Sequence, residues 1–83
     1  MKEKIASLVN DSISKWNVYV DDAYLDVEEN KTRLNIVLDS EEVIDLNKIT
    51  EASRVINKIM DKEKKLLENV YELDIFSKEK GEK

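Results

Sequence analysis

The sequence predicts an α+β domain of two layers, in which two helices cover one face of a three-stranded sheet. Two segments carry apolar residues at helical spacing, and three others alternate apolar with polar residues. Their order along the chain is helix, strand, strand, helix, strand. A chain of 83 residues has room for one small domain. Because each helix has one apolar stripe and each strand one apolar face, two packed layers bury them all.

The first helix is expected over residues 2–16, where most of the lysines fall away from an apolar stripe. The stripe consists of Ile5, Leu8, Val9, Ile13 and Trp16. Trp16 is expected to pack in the core, because an aromatic residue at helical spacing is usually buried.

A hairpin is expected to follow the first helix, because the apolar period changes from helical to two residues. The inward sets are Ala23, Leu25 and Val27 in the first strand and Leu34, Ile36 and Leu38 in the second. The polar residues 29–31 form the turn, so the two strands are antiparallel. Val18 and Val20 have the opposite phase to Ala23. Residues 21–22 are therefore either a bulge or the true start of the strand.

The second half of the chain is expected to contribute a helix and a last strand. Residues 39–42 are a polar loop, and Asp45 is a candidate N-cap for a helix that ends near Asp61. The apolar side of this helix consists of Leu46, Ile49, Ala52, Ser53, Ile56, Ile59 and Met60. Leu66 and Leu67 are expected to tuck under the fold. The last strand turns Tyr71, Leu73 and Ile75 inward. The domain thus covers residues 1–76, and 77–83 form a polar tail that we expect to be disordered.

The open face of the sheet is rich in carboxylates if the apolar sets face the helices. It carries Tyr24, Asp26, Glu28, Arg33, Asn35, Val37, Glu72 and Asp74. Like charges on neighbouring strands repel, and Arg33 and Asn35 separate them best if the second strand is central. The second and third strands would then be parallel neighbours, joined by a crossover through the second helix.

The charge distribution is uneven and favours a basic partner. The net charge is -5, and residues 21–45 hold nine acidic side chains against Lys31 and Arg33. Residues 54–65 hold five basic side chains against Asp61 and Glu63. Such a field steers a basic protein to the acidic side and disfavours direct contact with RNA. The alternative is that both charged runs are only solvated surface that keeps the protein in solution.

The composition argues against an enzyme and predicts no cofactor and no metal. The chain has no His and no Cys, which are common bases, nucleophiles and metal ligands. The only Gly, Gly81, lies in the tail, so a phosphate-binding loop and the GXXG loop of KH domains are both missing. The polar start and the lack of a long apolar run predict a cytoplasmic protein without a membrane span.

Several segments resemble the N-terminal domain of the ribosome maturation factor RimP family. Residues 25–28 resemble its "VDVE" segment, residues 34–39 are similar to "LRIYID", and residues 71–75 resemble "YxLEV". Residues 44–54 resemble "ITLDDCAEVSR", including the pair Ser53-Arg54. The spacings agree over residues 21–76. The family's "SSPG" segment and its second domain, a small β-barrel, are missing from this sequence.

The resemblance implies a non-enzymatic cofactor that binds the maturing small ribosomal subunit. It also implies contacts with ribosomal RNA and with a basic ribosomal protein. The acidic open face fits the protein contact better than the RNA contact, and we expect the chain to be a monomer. The candidate contacts are Asp26, Glu28, Asp39, Glu41 and Glu42, with Ser53 and Arg54 as a second group. For this second group the alternative is that Ser53 packs and Arg54 is solvated. The rival function is an acidic interaction or dimerisation domain without a ribosomal role, which an exposed sheet edge would permit.

Overall fold

The chain folds into the predicted order of elements, a helix, a hairpin, a second helix and a last strand. The computed structural model describes residues 2–42 and 45–78. Its elements are α1 (Lys2–Ile13) with a 3-10 turn (Ser14–Trp16), β1 (Tyr19–Glu28), β2 (Lys31–Asp39), α2 (Leu46–Asp61) and β3 (Glu72–Ser77). The predicted α+β fold class is confirmed.

The sheet has β2 in the centre, as the charges on its open face predict. β1 and β2 are antiparallel, and β2 and β3 are parallel. Arg33 therefore lies between Asp26 of β1 and Glu72 of β3. The arrangement places a positive side chain between two negative ones, which relieves the repulsion that carboxylates on adjacent strands would otherwise feel.

The hairpin closes through two residues, Glu29 and Asn30, that both have positive φ angles of 51° and 66°. Two such residues are the signature of a type I′ turn, whose twist matches that of the flanking strands. Asn tolerates this left-handed conformation, whereas Glu adopts it at some cost.

A bulge in β1 reconciles the two phases of its apolar residues. The strand register shifts between Val20 and Asp22, and Val20 and Ala23 are both buried although they are three residues apart. Of the two interpretations of residues 21–22, the bulge is therefore the correct one. Beside it, the backbone N–H of Val20 donates to the side chain of Asn10 at 2.9 Å. The Ala23 N–H donates to Asp22 at 2.8 Å.

The core lies between the sheet and the two helices, and the predicted stripes form most of it. The buried apolar residues of the helices and of β2 are Ile5, Val9, Ile13, Leu34, Ile36, Leu38, Ile49, Ala52, Ile56 and Met60. Trp16, Leu66 and Leu67 are partly buried against this cluster. Their predicted packing is thus confirmed.

Both ends of α2 agree with the prediction. The Asp45 carboxylate accepts a hydrogen bond from the Asn47 N–H at 2.8 Å, which caps the first turn. At the other end, the Lys62 N–H donates to the Ile59 carbonyl at 3.1 Å.

β3 extends to Ser77, one residue beyond the predicted boundary, and the Lys78 N–H donates to the Leu38 carbonyl at 2.7 Å. The rest of the predicted tail, 79–83, lies outside the described residues.

Four predicted inward residues are instead exposed, namely Leu25, Val27, Leu46 and Tyr71. Leu25 and Val27 are paired with Leu34 and Thr32 of β2, at the hairpin end of the sheet. Their exposure means that the helices cover the other end of the sheet and leave this one open. Leu46 is the first residue of α2, and Tyr71 immediately precedes β3. Each therefore lies at the start of its element, outside the buried core.

Candidate protein-binding surface

The open face of the sheet has an acidic end near the hairpin. There Asp26, Arg33 and Glu72 stand side by side on the three strands, and Glu28 pairs with Lys31 beside them. The Arg33 Nε lies 3.7 Å from a carboxylate oxygen of Glu72. The two side chains are 42% and 51% exposed, so water partly screens their charges, although the Arg33 Nε atom itself is buried.

A cleft of about 190 Å³ opens at the same end. Its lining includes Asp26, Glu28, Glu29 and Glu72, and the basic residues Lys31 and Arg33. Tyr71 forms one side, with the Lys31 Nζ 4.6 Å from its ring centroid. Lys31 thus already occupies one face of the Tyr71 ring, and the four carboxylates are what suit a lysine or arginine side chain of a partner. We call Asp26, Glu28, Glu29 and Glu72 the hairpin-end acids.

The middle of the open face is less charged and partly apolar. Val37 lies between Asp22 and Phe76, and Asn35 lies between Tyr24 and Asp74. Tyr24 and Phe76 are exposed, whereas Asn35 is only 5% exposed. Its Nδ2 has no hydrogen-bond partner in the part of the chain that the structure describes. Exposed aromatic rings are enriched in protein contact surfaces.

Asp22 and Glu29 are acidic contributors that sequence reasoning did not assign to the site. Asp22 lies on the open face in regular alternation with Tyr24 and Asp26, and it pairs with Val37 there. Glu29 reaches the cleft because the two-residue turn holds it at the hairpin tip. The available signal for Asp22 was the two-residue period of Tyr24, Asp26 and Glu28, which extends back to it.

The second predicted acidic group, Asp39, Glu41 and Glu42, lies at the opposite end of the sheet. Asp39 is buried, and its carboxylate accepts the Ser40 N–H at 2.8 Å. The prediction that Asp39 belongs to a polar loop is wrong, because Asp39 is the last residue of β2 and is buried. The hydrogen bond from the Ser40 N–H to the Asp39 carboxylate stabilises the start of the loop that follows β2.

Glu41 and Glu42 are exposed, and the loop that carries them is fastened to the end of the 3-10 turn. The Ser40 hydroxyl donates to the Asn17 carbonyl at 2.6 Å, and the Asn17 side chain donates to Glu42 at 3.1 Å. Asp26 pairs with Arg33, six residues before Asp39 on β2. At the rise of a strand, six residues span about 20 Å. The acidic residues that the sequence suggested as one site thus form two separate groups.

Ser53 and Arg54 lie on α2, in the helical layer and away from the open face. Arg54 is exposed and lies 3.7 Å from Glu51, one helical turn away. Ser53 is partly buried, and its carbonyl accepts a hydrogen bond from the Asn57 side chain at 3.0 Å. This environment agrees with the alternative interpretation, in which Ser53 packs and Arg54 is solvated.

The described residues offer neither a metal site nor a membrane span. Within residues 2–42 and 45–78, no group of three or more acidic side chains is arranged to hold a metal ion. Neither helix in that part of the chain is long and apolar enough to cross a bilayer.

The sequence matches the family of RimP N-terminal domains over residues 8–78. The chain belongs to the RimP N-terminal domain family. The match begins within α1 and runs past the end of β3, so it includes the second half of α1, all of α2 and the whole sheet. RimP proteins are ribosome maturation factors, and the family is not known for enzymatic activity. Among curated proteins, no sequence matches this chain at a significant level.

Proposed function

We propose that this RimP N-terminal domain is a non-enzymatic assembly cofactor that binds the maturing small ribosomal subunit through a basic ribosomal protein. The observation that carries the proposal is the concentration of the hairpin-end acids around one cleft, in a chain of the RimP family. Such a role places the protein in the cytoplasm.

The charge of this surface selects the kind of partner. The hairpin-end acids outnumber Lys31 and Arg33, so the surface repels the phosphates of RNA and attracts lysine and arginine side chains. Ribosomal proteins carry many such side chains because they bind RNA. The proposed contact is therefore to protein, with direct RNA contact weak or absent.

The partner surface in this proposal is narrower than the sequence suggested. It consists of Asp26 and Glu28, which were predicted, together with Glu29, Glu72 and the exposed rings of Tyr24 and Phe76. Glu41 and Glu42 form a second contact about 20 Å away, at the far end of β2. Asp39 is excluded from this contact by its burial.

Co-sedimentation of the purified chain with small ribosomal subunits, at low and at moderate salt, tests the proposal. We expect binding that weakens as salt rises, because the contact is electrostatic. Large subunits serve as the control and should bind much less. The absence of binding to small subunits at both salt concentrations would contradict the proposal for this chain.

The rival function, self-association through a sheet edge, is tested by light scattering. β1 is a ten-residue edge strand, so it offers backbone groups for pairing. Two copies of β1, however, would bring Asp22, Asp26 and Glu28 of both chains onto the same face, which is unfavourable. We therefore expect a monomer, and a stable dimer without affinity for subunits would favour the rival.

A further inference from the structure

We infer that the outer edge of β1, from Tyr24 to Glu28, binds a basic and extended segment of a protein partner by strand addition. The added strand would alternate basic with aliphatic residues. This inference deepens the proposed function and rests on it, since it describes how the basic partner is held. It concerns the strand edge, whereas the proposed function concerns the acidic face as a whole.

The first half of the β1 edge is already occupied by the chain itself. The Val20 N–H donates to Asn10 of α1 at 2.9 Å, and the Ala23 N–H donates to the side chain of Asp22 at 2.8 Å. Residues of an antiparallel strand alternate between pairing with the neighbour and pointing both backbone groups outward. Ala23 therefore belongs to the outward set, and the alternation assigns Leu25 and Val27 to it as well.

Leu25 and Val27 also present exposed aliphatic side chains. They are 48% and 68% exposed and lie on the helix side of the sheet, where the helices leave the hairpin end uncovered. An added strand would cover them with its own aliphatic side chains. Burial of such side chains gives strand addition a favourable apolar contribution beside the backbone hydrogen bonds.

The other face of the same edge is acidic. Asp26 and Glu28 alternate with Leu25 and Val27 and point to the open face, beside the cleft. A strand whose basic residues fall on that face and whose aliphatic residues fall on the other matches β1 on both sides. A second copy of β1 would instead place acids against acids, so charge complementarity favours a basic partner.

The test uses the whole chain and a synthetic peptide that alternates lysine and valine, followed by amide NMR and hydrogen exchange. We expect the Leu25 and Val27 amides to shift and their exchange to slow by about tenfold or more at saturation, because each would gain a hydrogen bond. A peptide with the same residues but N-methylated in its centre keeps the charge and cannot add as a strand. We expect it to bind at least about tenfold more weakly.

Equal binding of the two peptides would overturn the inference, because charge alone would then explain the affinity. Concentration-dependent shifts of Leu25 and Val27 without peptide would overturn it in favour of a second copy.

In the protein, Leu25→Pro removes the outward N–H and should weaken peptide binding about tenfold, while Leu25→Ala keeps the N–H and should weaken it less. Subunit binding that persists without peptide binding would reject the strand edge and leave the proposed function intact. Peptide binding without subunit binding would reject the proposed function.

Discussion

The Nε atom of Arg33 lies 3.7 Å from a carboxylate oxygen of Glu72, across the parallel pair of β2 and β3. On the other side of Arg33, Asp26 occupies the paired position of β1. One guanidinium thus stands between two carboxylates in the central strand. Its removal would leave two negative charges on the same face of the sheet without the positive charge between them.

Replacement of this cation should lower stability in a salt-dependent way. We expect Arg33→Gln to reduce the free energy of unfolding by about 0.5–1 kcal/mol at low salt, and by less at high salt. Urea unfolding at two salt concentrations measures both values. Arg54→Gln, which breaks an exposed pair with Glu51 on α2, is the matched control and should cost less than about 0.5 kcal/mol. Equal effects of the two substitutions would contradict a special role for the central position.

The two acidic groups can be separated by charge reversal. Asp26→Lys with Glu28→Lys should weaken binding to small subunits by at least about tenfold and flatten its salt dependence. Glu41→Lys with Glu42→Lys changes the net charge equally at the far end of the sheet, and should weaken binding less. Co-sedimentation of the two double variants measures the difference. If both lose affinity equally, net charge rather than the hairpin end governs binding.

The N-cap of α2 should be measurable as a stability difference. The Asp45 carboxylate accepts the Asn47 N–H at 2.8 Å. Asp45→Ala should therefore lower the free energy of unfolding by about 0.5–2 kcal/mol, whereas Asp45→Asn keeps a capping oxygen and should change it little. Thermal or urea unfolding distinguishes the two variants. A loss in Asp45→Asn as large as in Asp45→Ala would show that the charge, and not the cap, is the source.

The hairpin turn offers a stabilising substitution. Glu29 has a φ of 51°, in the left-handed region where side chains other than Asn and Gly are disfavoured. We expect Glu29→Gly to raise the free energy of unfolding by up to about 1 kcal/mol. Glu28→Gly, one position earlier and within β1, should instead lower it, because Gly is unfavourable in a strand. A loss of stability in both variants would argue against the type I′ turn.

Much of the fold could be predicted because the spacing of apolar residues within each segment determines the type of element and its buried face. Leu34, Ile36 and Leu38 alternate without interruption, and all three are buried in the central strand. The strand order also followed from local information, since Arg33 is the basic residue that best separates the acids of the neighbouring strands. Here pattern and tertiary structure agree because these three residues of β2 pair with neighbours on both sides.

The candidate site was predicted less well, because accessibility depends on what covers each residue. Asp39 belongs to the same acidic run as Glu41 and Glu42, yet it is buried while they are exposed. Leu25 and Val27 have the same apolar pattern as Ala23, yet they lie beyond the helices. A two-residue period predicts the face of the sheet to which a side chain points. It does not predict whether a helix covers that part of the face.

The sequence by itself determined the element order, the inward face of each strand, the cap of α2 and the acidic character of the open face. These properties depend on the spacing of residues within one segment, which the chain carries locally. Only the tertiary structure decided that a bulge lets Val20 and Ala23 both face the core, and that the acidic residues divide into two groups about 20 Å apart. The physical reason is that the extended strand β2 holds Arg33, the partner of Asp26, far from Asp39. The parallel pairing of β2 with β3 brings Glu72, which is distant in sequence, beside Arg33.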